Sequence, residues 1–177
     1  MIILDLLSSG SKILKSKKVQ TYQLDSEIIL SSILKKKREQ IIINSEEKVS
    51  KKNINNFNKL IIRRSTKEPL AYILKNKEFW SKNFFVNRDT LIPRPETELL
   101  CDIVIKLFKN KNPHILDIGT GTGCILLSIL SEIIKAKGIG IDISKKAIAV
   151  AKKNSKSLEL DKRAKFLTRS LDNIRNY

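Results

Sequence analysis

The 177-residue sequence predicts an α/β chain: a small N-terminal helical bundle, a β-hairpin connector and the first half of a Rossmann-like, doubly wound parallel sheet. Three observations carry that prediction. Apolar residues up to Leu74 recur at helical spacing. Two short aromatic and β-branched runs follow between Glu78 and Val86. From His114 onward, apolar runs of strand length alternate with amphipathic helical stretches, the signature of a β-α-β series with right-handed crossovers. The expected divisions are 1–75, 76–90 and 91–177.

Ile2, Ile3, Leu6 and Leu7, then Ile13 and Leu14, place a helical pattern at the start, broken at Ser8-Ser9-Gly10-Ser11. Asp25 or Ser26 is suited to cap a second helix whose apolar face is Ile29, Leu30, Ile33 and Leu34. Lys35-Lys36-Lys37-Arg38 falls at its C-terminal end, where cations complement the helix dipole and a charge run is solvated surface. Ser50 is placed to cap a third helix carrying Ile54, Phe57, Leu60 and Ile61. Glu68-Pro69-Leu70-Ala71-Tyr72-Ile73-Leu74 reads as a short turn of helix with proline at its first position.

The aromatic runs Glu78-Phe79-Trp80 and Phe84-Phe85-Val86 flank Ser81-Lys82-Asn83, read as a three-residue hairpin loop. Their aromatic density suits a packed seam between domains. In Leu91-Ile92-Pro93-Arg94-Pro95-Glu96-Thr97-Glu98, two prolines hold Arg94 away from helical geometry, and Glu96 and Glu98 enter the first turn of the next helix. Beyond it come a strand at 114–118, a helix over 124–136 and a strand at 138–143. A helix at 145–156, capped by Ser144, and a strand at 164–168 complete the series. Three strands leave such a sheet with an open edge.

Composition narrows the class. The net charge is +17, but residues 1–79 carry 17 basic and 8 acidic groups and residues 80–177 carry 18 and 10. Charge spread so evenly does not mark a dedicated nucleic-acid face, although a weak, salt-sensitive affinity for nucleic acid follows from it. No apolar run approaches the roughly 20 residues of a membrane span, and no signal peptide is expected. Cys101 and Cys124 lack metal-like spacing and read as reduced core thiols, which suits a cytoplasmic monomer. His114, the only histidine, has no partner nearby to complete a metal or acid–base site.

The chemistry concentrates in Asp117-Ile118-Gly119-Thr120-Gly121-Thr122-Gly123, where a strand runs through alternate glycines into a helix. Glycine admits positive φ and a close ligand approach, and free N–H groups at a helix start receive polar ligand atoms. The spacing departs from the dinucleotide fingerprint, which disfavours a nicotinamide oxidoreductase, and no phosphate-loop lysine follows. Asp117 is placed to accept from a ligand ammonium or to fix the loop. Asp142, 19 residues after Gly123, stands close to the roughly 20-residue spacing of a ribose-binding carboxylate. Together they suit an adenosine with an amino-acid tail, pointing to S-adenosyl-L-methionine.

The segment from Asn87 to Glu98, containing Leu-Ile-Pro-Arg-Pro-Glu-Thr-Glu, followed by Ile-Leu-Asp-Ile-Gly-Thr-Gly-Thr-Gly, resembles the PrmC/HemK family of release factor N5-glutamine methyltransferases. Glu68 to Trp80 is similar to that family's interdomain region. The resemblance implies a helical domain recognising peptide chain release factors, joined through a hairpin to a methyltransferase domain. Its implied reaction is methyl transfer from S-adenosyl-L-methionine to the glutamine amide of a Gly-Gly-Gln motif. It implies that Gly119, Thr120, Gly121, Thr122 and Gly123 line the amino-acid end of the cofactor, beside Asp117, and that Asp142 holds the ribose. Ser170 and Leu171 take the positions of the family's acidic and aromatic adenine contacts. The family's Asn-Pro-Pro-Tyr motif, which orients the amide, does not occur in these residues, so no catalytic residue is assigned. The expectation is a chain inactive, or nearly so, by itself. Two other readings stand beside this one: an amino-methyltransferase of nucleic acid, and a non-catalytic fragment that binds a release factor or the cofactor.

Overall fold

Residues 1–170 are described by the computed structural model and fall into two units, Met1–Leu74 and the part beginning at Lys75. In the first unit, α1 (Ile3–Ser16), α2 (Tyr22–Leu34) and α4 (Lys51–Ser65) enclose a core of Ile3, Leu6, Leu14, Ile29, Leu30, Phe57 and Ile61. The shorter α3 (Arg38–Ile43) and α5 (Leu70–Leu74) complete it.

Ser8-Ser9-Gly10-Ser11 does not break α1, which runs through it unbroken. A Cβ on Gly10 would lie 2.7 Å from both Phe57 Cζ and Ser26 Oγ, so the glycine is where α1 closes on α2 and α4. Asp25 and Ser26 do not cap α2 either. Thr21 occupies the N-cap, and both residues are buried inside the helix. The Asp25 carboxylate accepts from Thr21 Oγ1 at 2.9 Å and from Arg64 Nε at 2.6 Å, tying α2 to α4. A buried acid is tolerated because both donors are aimed at it. Ser50 caps α4 as expected, accepting from the Asn53 N–H. The basic run is divided: Lys35, at φ 54°, ends α2, and Arg38 opens α3, a helix the periodicity did not reveal. Lys36 and Arg38 pair with Glu47 and Glu27 on the surface. Pro69 precedes α5, and its carbonyl accepts from Tyr72 and Ile73.

In the second unit, β1 (Lys77–Phe79) and β2 (Lys82–Phe84) form the antiparallel hairpin. Phe79 faces Lys82, so the turn is the two residues Trp80-Ser81, at φ 52° and 53°, and not Ser81-Lys82-Asn83. Two positive φ values match the right-handed strand twist. Neither residue favours that conformation, and the Trp80 N–H is held by Glu98 at 2.9 Å while its indole donates to Glu132. Phe79 and Phe84 meet edge to face at 6.2 Å inside this unit's own core. The aromatic run is therefore core-forming.

Arg94 is extended, as two flanking prolines require, and a 3₁₀ turn at Pro95–Thr97 leads into α6 (Glu98–Phe108). Then β3 (His114–Ile118), α7 (Cys124–Glu132), β4 (Lys137–Asp142), α8 (Lys145–Ser157) and β5 (Ala164–Thr168) build a parallel sheet of order β3-β4-β5. His114 opposes Lys137 and Gly138 opposes Ala164. The first of these helices stops at Glu132, short of 136, because the chain turns out at Ile133 (φ −107°, ψ 93°). A Cβ on Gly138 would lie 2.4 Å from Leu126 Cδ1, and one on Gly140 2.6 Å from Phe166. Their absence lets α7 and Phe166 sit directly on β4. The other sheet face, with Leu116, Ile139 and Leu167, lines a groove of about 500 Å³. Among the described residues no helix is long and apolar enough to cross a membrane.

Replacing Gly10 with alanine is expected to destabilise the first unit by about 1–3 kcal/mol through overpacking. Helix propensity alone predicts the opposite sign, about 1 kcal/mol of stabilisation. Denaturant unfolding of the G10A variant distinguishes them, and a raised midpoint contradicts the close-packing account.

Candidate functional site

The carboxyl ends of β3 and β4 position the glycine turn. Gly119, Gly121 and Gly123 have φ of 74°, 53° and 78°, a path any side chain would strain. The Gly119 and Thr120 N–H groups both donate to the Ile141 carbonyl at 2.9 Å, prolonging the β3–β4 ladder into the turn. Gly123 N–H donates to the Thr120 carbonyl at 2.8 Å. Among the described residues, its chain neighbours aside, nothing lies within 4 Å of a Cβ built on Gly119, which leaves that side of the turn open.

Asp117 and Asp142 hold the turn from two sides. Thr120 Oγ1 donates to Asp117 at 2.7 Å, and the Leu126 N–H reaches the same carboxylate. Asp117 thus serves the first turn of α7, where a carboxylate complements the helix dipole. Asp142 accepts the Gly121 N–H on Oδ2 at 3.0 Å and the Ser144 N–H on Oδ1 at 2.9 Å. Ser144 caps α8 in turn, receiving the Ala147 N–H. The Arg169 N–H donates to the Asp142 carbonyl, which brings the segment after β5 beside the same residue.

This geometry revises one expectation. The N–H groups of Gly119, Thr120, Gly121 and Gly123 are engaged within the protein, so they are not free donors waiting for a ligand. Thr120 and Thr122 are buried, and Thr122 Oγ1 accepts from the Cys124 N–H, so both side chains serve the turn itself. What stays open is the Cβ-free side of Gly119, and each Asp142 oxygen accepts only one of these backbone N–H groups. Ser170 closes the described part of the chain, and Leu171 lies outside the described residues.

One site residue was missed in the sequence. Asn154 on α8 is buried, and its Oδ1 accepts the Phe85 N–H at 2.7 Å. Its Nδ2 donates to the Phe85 carbonyl at 3.0 Å and to the Thr122 carbonyl at 2.9 Å. One carboxamide therefore joins the segment after β2 to the glycine turn. The signal was present: Asn154 falls on the stripe of Ala147, Val150 and Ala151, and a polar residue on an apolar stripe needs a buried partner.

Comparison with known proteins agrees with both units. The model of the PrmC N-terminal domain matches residues 5–74, and a methyltransferase domain model matches residues 109–176. A release factor glutamine methyltransferase of Buchnera aphidicola from Baizongia pistaciae is 46% identical over 156 residues, covering 87% of this chain and 56% of that protein. The same-named protein of the Acyrthosiphon pisum strain is 43% identical over 140 residues, covering 79% and 50%. That of Caulobacter vibrioides is 37% identical over 155 residues, covering 87% and 54%. Both units are thus similar to parts of release factor glutamine methyltransferases. It spans about half the length of the curated relatives it matches.

The two thiols belong to the core of the second unit. Cys101 and Cys124 are free and buried, and burial pushes the Cys101 thiol up to about 12. No group of three metal-ligating side chains occurs among the described residues. Asp117 carries the more informative shift. Burial raises its pKa, opposed by the Thr120 hydroxyl and the Leu126 N–H and assisted by the charge of Asp142.

A carboxylate with a raised folded-state pKa contributes stability below its unfolded pKa, and loses it as pH rises through the folded value. Relative to Asp117→Asn, the parent is therefore expected to lose stability as pH climbs from the ordinary carboxylate range toward neutrality. Urea unfolding of both proteins across pH 3–8 measures the difference. A difference that stays flat or runs the other way contradicts the burial of Asp117 as a strained acid.

Proposed function

We propose that this chain carries the S-adenosyl-L-methionine site of a methyltransferase acting on the glutamine side-chain amide of the Gly-Gly-Gln motif in peptide chain release factors. The observation that carries the reading is the turn at Gly119–Gly123, walled by Asp117 and Asp142 and open at Gly119. The family relatives bear the matching name.

The residues fit an adenosyl ligand in chemical terms. Each Asp142 oxygen is used once, by a backbone N–H, and each retains lone-pair capacity for a vicinal diol. Gly119 leaves room for the amino-acid portion against the backbone. When bound, the sulfonium cofactor supplies an electrophilic methyl group. This chain's residues supply its placement: Asp142 for the ribose, the turn for the amino-acid end, and Asp117 for the rigidity of the turn. An amide nitrogen is a weak nucleophile, so transfer depends on in-line orientation more than on acid–base chemistry. We assign release factor recognition to the helical unit, on the strength of its match to the PrmC N-terminal domain.

Titration calorimetry of the purified chain with S-adenosylhomocysteine tests the reading. Binding is expected, with Asp142→Asn weakening it tenfold or more, a loss of about 1.4 kcal/mol. Equal affinity in the two proteins, or no binding by the parent, contradicts it.

A further inference from the structure

The α8 helix grips one short stretch of backbone at several points. Its Asn154 pairs with both the N–H and the carbonyl of Phe85, in the manner of a neighbouring strand. Its Lys153 ammonium lies 3.3 Å from the centroid of the Phe85 ring. Its Lys146 approaches Asp89 at 3.7 Å, where Asn87 Oδ1 receives the Asp89 N–H in a local turn. Downstream of this stretch runs Leu91-Ile92-Pro93-Arg94-Pro95, which no role assigned above absorbs.

The same helix is anchored to the glycine turn at two places. Asp142 links Gly121 to Ser144 at the start of α8, and Asn154 holds the Thr122 carbonyl near its end. Asn154 hydrogen-bonds to both structures. Its carboxamide offers two N–H bonds and an acceptor, and both N–H bonds and the oxygen are spent on Phe85 and Thr122. Losing it leaves the buried Thr122 carbonyl and the part-buried Phe85 carbonyl and N–H without these partners, which raises the free energy of both segments together.

We infer that Asn154 is a positioning residue that couples the Phe84–Val86 segment to the glycine turn, so that a ligand seated at the turn also orders the chain leading to Pro93-Arg94-Pro95. The ligand half of the inference rests on the cofactor reading above. The coupling itself rests only on the hydrogen bonds.

Hydrogen–deuterium exchange of the full chain separates the two halves. Asn154→Asp keeps the acceptor for Phe85 N–H but offers no donor to the two carbonyls at neutral pH. Asn154→Ala removes both functions without adding charge. Without ligand, exchange over 119–124 and over 84–86 is expected to accelerate together, at least tenfold, in both variants. Exchange in β4 and α6 should stay unchanged. Acceleration at only one of the two segments, or uniformly through the unit, overturns the coupling and leaves a merely structural asparagine. With S-adenosylhomocysteine, the parent is expected to gain protection at both segments and the variants at 119–124 only. Protection of 84–86 surviving in the variants also overturns the coupling. A parent that shows no ligand effect anywhere overturns the cofactor reading, while the ligand-free comparison still decides the coupling.

Discussion

The second unit depends on the buried carboxamide of Asn154. Asn154 makes two donor bonds and one acceptor bond, to Phe85 and Thr122, two backbone positions far apart in sequence. Buried backbone groups without partners are costly, so satisfying three of them at one point fixes how hairpin, turn and helix meet. The glycine turn then needs only local reinforcement. Asp142 supplies it on one side and the Asp117–Thr120 pair on the other.

That arrangement makes the turn a preformed shape more than a row of waiting donors. The N–H groups of Gly119, Thr120, Gly121 and Gly123 are committed to Ile141, Asp142 and Thr120. Three left-handed glycines make the path affordable, and Gly138 and Gly140 let α7 and Phe166 press against the strand beneath it. A preorganised cradle of this kind favours binding because little ordering remains to be done when the ligand arrives. In the proposed cofactor site, recognition falls to shape at Gly119 and to the unused lone pairs of Asp142.

Much of this was legible in the residues. The β-α-β series, the Ser50 and Ser144 caps, the extended Arg94 and the positive-φ glycines all follow from local patterns. What escaped was decided by partners distant in sequence. Asp25 looked like a helix cap until Arg64, on another helix, was seen to claim its carboxylate. Gly10 looked like a breaker until Phe57 and Ser26 filled the space of its missing Cβ. Trp80 is an unlikely hairpin residue, and Glu98 and Glu132 hold it there. In the site, Asp117 and Asp142 were found by spacing from the glycines. Asn154 does not stand out because the apolar side of 145–156 reads as Ala147, Ile148, Val150 and Ala151, although its own position on that stripe marks it as buried.

The central claim is a preformed turn at Gly119–Gly123 that seats an adenosyl ligand between Asp117 and Asp142. A crystal structure of the chain with S-adenosylhomocysteine tests it most directly. The account predicts ribose hydroxyls on Asp142, the amino-acid end against Gly119, and a turn whose three positive φ values are unchanged. A ligand bound elsewhere, or a turn rebuilt with the Gly121–Asp142 and Asn154–Thr122 hydrogen bonds broken, would contradict it.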